Sequence, residues 1–256
     1  MSSLDKNRLD FETAGRLGDV NGITPITLIG HSDAVGTNLR FLHHETNTAA
    51  LDVDGLYDTP ATVKVSSSSA LDVLTSGSGA WTVAITGVDS AGAEATESVN
   101  LTGQTAVTTT TVWKCIHGIQ VTAAGTGLAN AGVIWVGSGT VSSGVPATKY
   151  CSCEIGTNAS KLLLYCVPTG KRLVLHQILC FSGDTTKLLN FQFLQKSAAT
   201  GLWYEAFDVH TKAGVIDFAV ESYPALAAGD IVAVKADVDT GTAIITIAVS
   251  GDLVDL

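Results

Sequence analysis

Most of the chain alternates between hydrophobic and polar residues with a period of two, which is the pattern of β-strands. Trp81–Thr86 is the clearest case, because Trp81, Val83 and Ile85 would share one face of a strand. Gly87–Gly92 follows with the Asp, Ser and Gly residues that hairpin turns require. No long segment shows a 3.6-residue apolar period. The pattern therefore predicts an all-β chain whose helices are short and peripheral.

A second series of strands is predicted between residues 150 and 249. Pro168–Gly170 is a predicted turn, since proline presets φ and glycine accepts a positive φ. Asp239–Gly241 is predicted to close the last hairpin. Strands at this spacing are typical of a sandwich or jelly roll. The predicted strands are Tyr150–Ile155, Leu162–Val167, Arg172–Phe181, Leu188–Gln195, Gly201–Val209, Val215–Val220, Asp230–Val238 and Ala243–Val249.

The alternation also suggests how the chain is divided. Residues 1–54 show little of it and are predicted to form an extended N-terminal arm, with Ile23–Ile29 as one strand that Pro25 confines to an edge. The Gly/Ser-rich segment Gly137–Pro146 is predicted to link two units. The predicted fold is thus all-β, with β-sandwich or jelly-roll-like units at residues 55–145 and 146–256 behind the arm.

Composition changes this picture in two ways. Only 15% of the residues are charged, below the roughly 25% of an ordinary soluble domain, so either partners cover part of the surface or the β-core is simply well filled. The net charge of −10 argues against direct nucleic-acid binding, because phosphate backbones select basic surfaces. The polar start of the chain and its short apolar runs predict a soluble protein made in a cytoplasm, without membrane contact.

Five cysteines are present, an odd number that excludes complete internal pairing. Cys151 and Cys153 would lie on one face of a strand. Their spacing does not fit a zinc site. Two interpretations stay open at this stage: structural thiols that are partly buried in the sheet, or a disulfide to another subunit after release into an oxidising medium.

The sequence holds no recognisable catalytic or cofactor motif, and it predicts a protein that is not an enzyme and that uses no metal or cofactor. His43, His44 and Glu45 are consecutive, but neighbouring residues of a strand point to opposite faces and make poor joint ligands. His117 and His176 are predicted to be satisfied residues on strand faces. Trp81, Trp135 and Trp203 are candidates for stacking on sugars, with core packing as the alternative.

Two stretches resemble segments of virion structural proteins of tailed bacteriophages. Residues 81–110 contain V-x-I-x-G-x-D-x-x-G from Val83 followed by V-x-L-x-G-x-T-x-V from Val99. Residues 164–175 contain Y-x-V-P-x-G-K, starting at Tyr165. The resemblance implies β-hairpins and sandwich domains, and it carries no catalytic residues over to this chain. The five cysteines depart from the commonest version of the pattern and leave room for cross-linked assembly.

What the resemblance implies is a non-enzymatic virion structural protein that stabilises the particle through subunit contacts. A capsid decoration or cement protein, or another head accessory, fits it best. The expected partners are the major capsid protein or other virion proteins and further copies of the chain, in a symmetric oligomer such as a trimer. The virion is expected to assemble in the host cytoplasm. The alternatives are a tail, neck or baseplate component, or a carbohydrate-binding module of a host-recognition appendage that uses the three tryptophans; a glycosidase-type hydrolase is the least favoured.

Overall fold

The computed structural model describes residues 22–43, 50–52, 54–184, 186–212, 214–220 and 223–256. Within them the chain forms sixteen strands and one helix of four residues, α1 (Gly55–Asp58). The prediction of an all-β chain is confirmed. No helix in this part of the chain has the length and apolar character needed to cross a membrane.

The first half of the described chain builds two antiparallel sheets. Their strands are β3 (Lys64–Ser67), β4 (Ala80–Asp89), β5 (Glu94–Asn100), β6 (Val107–Thr108), β7 (Trp113–Ala124), β8 (Ile134–Ser142) and β9 (Val145–Cys153). The β4 sheet has the order β5-β4-β7, and the β8 sheet has the order β6-β3-β8-β9. Alternating residues of both sheets bury one hydrophobic cluster that includes Val65, Ile85, Trp113 and Ile134.

The second half builds two more antiparallel sheets and recruits the start of the described chain. Their strands are β1 (Ile23–Val35), β2 (Arg40–Phe41), β10 (Leu164–Cys166), β11 (Lys171–Ser182), β12 (Leu189–Lys196), β13 (Trp203–Thr211), β14 (Val215–Ala219), β15 (Ile231–Val238) and β16 (Ala243–Asp255). The β16 sheet has the order β1-β16-β11-β14. The β15 sheet has the order β10-β15-β12-β13, and β2 also pairs with β15.

The β15 sheet contributes to both hydrophobic clusters. Ile231 and Ala233 face the cluster of the first half, whereas Val232 and Val234 face the β16 sheet. Over Ile231–Val234, β15 is apolar on both faces because both faces are covered, as in strands at the centre of a protein. The four sheets consequently form a small propeller-like arrangement and do not resolve into two clearly separate sandwich units.

The start of the described chain is built into the β16 sheet, although the sequence predicted an arm over residues 1–54. β1 pairs with β16 from Ile23 to Val35 and lies at the edge of the sheet. The Gly22 carbonyl accepts a hydrogen bond from the Asp255 amide. Because every second residue of an antiparallel strand bonds to its partner strand, the nitrogen of Pro25 points away from β16, and the proline costs no hydrogen bond between the two strands. An edge strand with Pro25 was predicted, and this part is confirmed. Residues 1–21 lie outside the described residues.

The predicted linker Gly137–Pro146 is in fact part of the β8–β9 hairpin. β9 pairs back onto β8 across the turn residues Ser143 and Gly144, whose φ values are 47° and 77°. Two consecutive positive φ angles are the geometry of a tight hairpin turn, and Gly/Ser composition suits such a turn as well as a linker. The predicted boundary between residues 145 and 146 therefore falls inside the β8 sheet.

The predicted final hairpin at Asp239–Gly241 is wrong. Gly241 has φ 65° and makes a tight corner, but the strands on either side of it belong to different sheets. β15 pairs with β2, β10 and β12, whereas β16 pairs with β1 and β11. A tight turn with Asp and Gly can join two strands of one hairpin or two strands of different sheets. Which of the two forms is decided by the long-range pairing of the strands.

Candidate functional site

All five cysteines are free and buried. Cys151 and Cys153 both face the first hydrophobic cluster from β9, with exposed fractions of 0% and 1%. Burial is the main cause that raises the pKa of Cys151 to about 12 and that of Cys153 to about 11. Neither thiol is placed to reach another subunit, because a bond from either sulfur would require β9 to leave the core.

We expect the native protein to show almost no reactive thiol. A disulfide reagent needs an accessible thiolate, so the native chain should react over hours and the denatured chain should release five equivalents within minutes. Thiol titration with Ellman's reagent makes this measurement, and a Ser90→Cys variant provides an exposed control thiol. Rapid labelling of Cys151 or Cys153, mapped by mass spectrometry, would contradict this placement.

The three tryptophans proposed for sugar stacking lie in three different sheets. Trp81 in β4 donates its indole N–H to the Gly77 carbonyl at 2.7 Å. Trp135 in β8 is 6% exposed, and Trp203 in β13 donates to the Asp54 carboxylate at 2.9 Å. The structure therefore does not bring them together into one stacking platform.

The histidines singled out by the sequence take part in local contacts. His117 stacks on Tyr165 with 4.1 Å between ring centres and accepts a hydrogen bond from the Cys166 amide. Burial lowers the pKa of His117 to about 4, which keeps its ring neutral near pH 7. His43 is 2% exposed, and His44 and Glu45 lie outside the described residues. No group of three metal-ligating side chains occurs among the residues that the structure describes.

A cluster of three charged side chains joins α1 to the β15 sheet. The Lys196 side chain is 3% exposed, and its Nζ lies 3.0 Å from Asp58 and 3.4 Å from Asp54. The same Nζ lies 4.7 Å from the centre of the Tyr57 ring, and Tyr57 in turn donates to the Gly229 carbonyl. These ion pairs connect α1 and the residue before it to β12, so we assign the cluster a structural role. A nearby cavity of about 10 Å³ beside Cys115 and Tyr150 has room for about one water molecule.

Three loops at one end of the first half display apolar side chains to solvent. The loops around residues 69–79, 125–132 and 154–159 lie side by side, as bonds from Gly127 to Ser78 and from Gly156 to Asn130 show. They expose Leu71 (55%), Leu74 (37%), Leu128 (78%) and Ile155 (57%). These four side chains are called the apolar tip below.

The tip loops are anchored by Asp72, a fully buried carboxylate. Its two oxygens accept hydrogen bonds from the amides of Ala80 (2.7 Å), Ala131 (2.8 Å) and Gly132 (2.9 Å) and from the Ser67 hydroxyl. A buried carboxylate with four donors is well compensated for its lost hydration. Asp72 therefore ties the first tip loop to β3 and to the second loop.

Asn130 performs the same task between the second and third loops. Its side chain is 2% exposed and donates to the carbonyls of Gly132 and Glu154, while its oxygen accepts the Asn158 amide. The Asn158 side chain donates in turn to the Leu128 carbonyl at 3.1 Å. The loops beneath the tip are thus fixed by side-chain bonds and do not depend on sheet pairing alone.

The backbone beneath the tip is held in a costly conformation. Among the described residues, four that are not glycine have a positive φ, and three of them lie in the tip loops: Thr75 (65°), Leu128 (57°) and Asn158 (59°). Asparagine tolerates this region, but leucine and threonine do so at a cost of about 1–2 kcal/mol each. Backbone strain of this kind persists where the surrounding structure enforces it, and it concentrates at functional positions.

The apolar tip could not be predicted from the sequence. The serine run Ser66–Ser69 predicts only a loop, and nothing in the sequence points to a docking surface beside it. The available signal was the pair of leucines on either side of Asp72, since large apolar residues in a loop have no core to enter. Their exposure could be established only with the structure.

Comparison with known proteins leaves the chain without a family. No protein-family model and no curated protein matches it. Among solved structures, the VP2 subviral particle of infectious bursal disease virus aligns over 91% of this chain and 81% of that chain, with 10% identity and a TM-score of 0.14. The T=1 particles derived from the same virus give 9% identity and a TM-score of 0.13 over 92% and 79% of the two chains. At such scores the likeness carries no argument about fold or function.

Proposed function

We propose that the chain is a non-enzymatic structural protein of a tailed-bacteriophage particle, a decoration or accessory protein of the head that docks on the shell through the apolar tip. The resemblance of residues 81–110 and 164–175 to virion proteins supports the class of protein. The β4–β5 hairpin agrees with the hairpins that the resemblance implies, and the β15 and β16 sheets bury a shared hydrophobic cluster. The partner would be the major capsid protein.

The observation that carries the proposal is Leu128. Its side chain is 78% exposed, and its backbone is held at φ 57° by the surrounding bonds. A folded chain gains nothing from a strained and exposed leucine, because glycine would occupy the same position without the steric cost. A leucine there is useful only if its side chain is buried against something else, and anchors of this kind dominate interface energetics.

Cosedimentation with particles of the phage that encodes the chain tests the proposal. Leu128→Gly removes the side chain and relieves the backbone, so we expect unfolding stability to be retained within about 1 kcal/mol. Binding to heads should nevertheless weaken by at least tenfold, because a central apolar anchor is worth about 1.4 kcal/mol or more. Pelleting through sucrose with heads and with isolated tails measures the two affinities.

Leu202→Gly is the matched control, since Leu202 is 60% exposed but lies in the β12–β13 loop, outside the tip. This variant should pellet with heads like the unmodified protein. Equal binding by Leu128→Gly and the unmodified protein would show that the tip is not the docking surface. Binding to tails but not to heads would overturn the assignment to the head.

A further inference from the structure

Two of the five cysteines meet inside the first hydrophobic cluster. Cys115 lies on β7, which belongs to the β4 sheet, and Cys166 lies on β10, which belongs to the β15 sheet. Both residues are buried in the same cluster, with exposed fractions of 3% and 0%. The Cys115 thiol donates a hydrogen bond to the Cys166 sulfur. The two sulfur atoms are therefore in contact, although the cysteines are distant along the chain and belong to different sheets.

Neighbouring contacts hold the two strands together at this point. β7 and β10 run beside each other. The His117 ring stacks on Tyr165 with 4.1 Å between the ring centres, and its Nε2 accepts a hydrogen bond from the Cys166 amide at 3.2 Å. These contacts involve the cysteines themselves or residues one or two positions away, so the sulfurs meet within a fixed frame. A disulfide requires side chains that already face each other across a short gap, and this pair meets that condition.

The surroundings of the pair give the two thiols different roles. The hydrogen bond from Cys115 lowers the pKa of the Cys166 thiol, and the Lys114 ammonium lowers it as well, against the opposing effects of burial and of Asp230. The same hydrogen bond and burial raise the pKa of the Cys115 thiol. Cys166 therefore becomes a thiolate more readily, and the thiolate is the nucleophile of thiol oxidation. Cys115 keeps its proton and lies in position to attack second.

The other three cysteines lie in a different environment. Cys151 and Cys153 are two positions apart on β9, and Cys180 belongs to the second hydrophobic cluster. Burial is the largest cause acting on the pKa of each of these thiols, and it raises all three values to about 11 or 12. Among the five cysteines, a hydrogen bond between two thiols acts only on Cys115 and Cys166. Any oxidation of the folded chain should therefore begin at this pair.

The cavity beside Cys115 indicates the class of oxidant. Its volume of about 10 Å³ gives room for about one water molecule. Its lining includes Cys115, Tyr150 and Leu164, the last of which lies two positions before Cys166 on β10. A bulky disulfide reagent cannot enter a space of this size, whereas hydrogen peroxide is uncharged and close to water in size. A peroxide is therefore the class of oxidant that suits the buried pair.

We propose that Cys115 and Cys166 form an oxidation site, at which a peroxide converts the two thiols into a disulfide that joins β7 to β10. The Cys166 thiolate attacks one peroxide oxygen and breaks the O–O bond, which gives a sulfenic acid on Cys166 and a hydroxide ion. The Cys115 sulfur then attacks the Cys166 sulfur. An S–S bond forms, and the sulfenic oxygen leaves as water with the Cys115 proton. The two thiols together lose two electrons, and the peroxide is reduced to two molecules of water.

Tryptic mapping without reductant, after treatment of the reduced protein with a few equivalents of hydrogen peroxide, tests the proposal. Cleavage after lysine and arginine places Cys115 in peptide 115–149 and Cys166 in peptide 162–171, apart from the other cysteines. These two peptides should be found linked, with a mass lower by two hydrogens than that of the separate reduced peptides. The denatured oxidised chain should keep three of its five titratable thiols, and dithiothreitol should restore all five.

The link should also raise the melting temperature of the folded chain. A disulfide between β7 and β10 closes a long loop and restricts the unfolded chain, so we expect a rise of about 10 °C after peroxide treatment. Cys166→Ala should show no such rise. Cys151→Ala is the matched control, because it removes a buried thiol of the same cluster and leaves the pair intact; it should form the link and show the rise.

Three results would overturn the inference: five titratable thiols after peroxide treatment, a link that involves Cys151, Cys153 or Cys180, or sulfinic acid on Cys166 with no link. The map of the unmodified protein decides among them even if an alanine variant folds poorly. The measurement uses no particle, so it is independent of the proposed docking on a phage head. A chain that forms the link but does not pellet with particles would contradict the proposed function alone.

Discussion

Replacing Asp72 by alanine should lower the free energy of unfolding by about 4 kcal/mol. The three backbone amides of Ala80, Ala131 and Gly132 would lose their acceptor inside the protein. Each buried donor without a partner costs about 1–3 kcal/mol. That loss is a large part of the 5–15 kcal/mol that stabilises a typical domain. Urea unfolding followed by tryptophan fluorescence measures the change.

Two further substitutions separate the buried network from an ordinary turn. Asp72→Asn keeps one acceptor oxygen and should lose about half as much stability. Asp89→Ala is the matched control, because Asp89 also accepts two backbone amides, those of Ala91 and Ala93, in an exposed hairpin where water can replace it. Asp89→Ala should lower the free energy of unfolding by about 1 kcal/mol. Equal losses for Asp72→Ala and Asp89→Ala would mean that burial of the network adds nothing.

The second large effect is expected at Gly144, the turn residue between β8 and β9. A Cβ added there would lie 1.8 Å from the Ser67 carbonyl oxygen, at a φ of 77° that side chains rarely adopt. Gly144→Ala must therefore displace β3 or open the hairpin, at a cost of about 4 kcal/mol when the overpacking and the strain are combined. Thermal unfolding and the yield of folded protein both report this loss.

Gly156 distinguishes the backbone strain from the steric overlap, because its φ is nearly the same as that of Gly144. Gly156 has φ 76°, but nothing lies within 4 Å of the position its Cβ would take. Gly156→Ala should then cost only the backbone strain of about 1–2 kcal/mol. If both variants lose the same stability, the close approach of Ser67 to the turn is not a constraint on the fold.

Elements specified by neighbouring residues could be predicted from the sequence. The β4–β5 hairpin formed where expected because alternation at Val83 and Ile85 and the turn residues Asp89 and Gly92 agree with one another. Pro168–Gly170 behaves likewise, with Gly170 at φ 78°. In both places the local turn geometry agrees with the long-range contacts, such as the hydrogen bond from the Thr169 amide to the Gly92 carbonyl.

Elements specified by distant contacts could not be predicted. Ser66 and Ser67 resemble a loop, yet both are fully buried in β3, where Ser67 donates to Asp72 and Ser66 to the Gly144 carbonyl. Serine is accepted in that strand only because buried partners satisfy its hydroxyl. Distant contacts also decide which strands pair with β16, because the alternating apolar pattern of β16 is compatible with any neighbouring strand.

The exposed apolar positions were even less visible in the sequence. Ile29, Phe181, Val215 and Ile244 are widely separated along the chain, and only the register of four strands brings them to one face. An apolar residue in a strand is ordinarily assigned to the core, so its exposure is known only after the core is filled by others. The low charged fraction is compatible with a partly covered surface or with a well-filled β-core, and it locates no surface.

Cryo-electron microscopy of purified tailed-phage particles whose genome carries this sequence tests the proposed head function most directly. We predict repeated density of this chain on the head, with Leu71, Leu128 and Ile155 against the shell. Particles that contain no copy of the chain, or copies whose tips point into solvent, would contradict it.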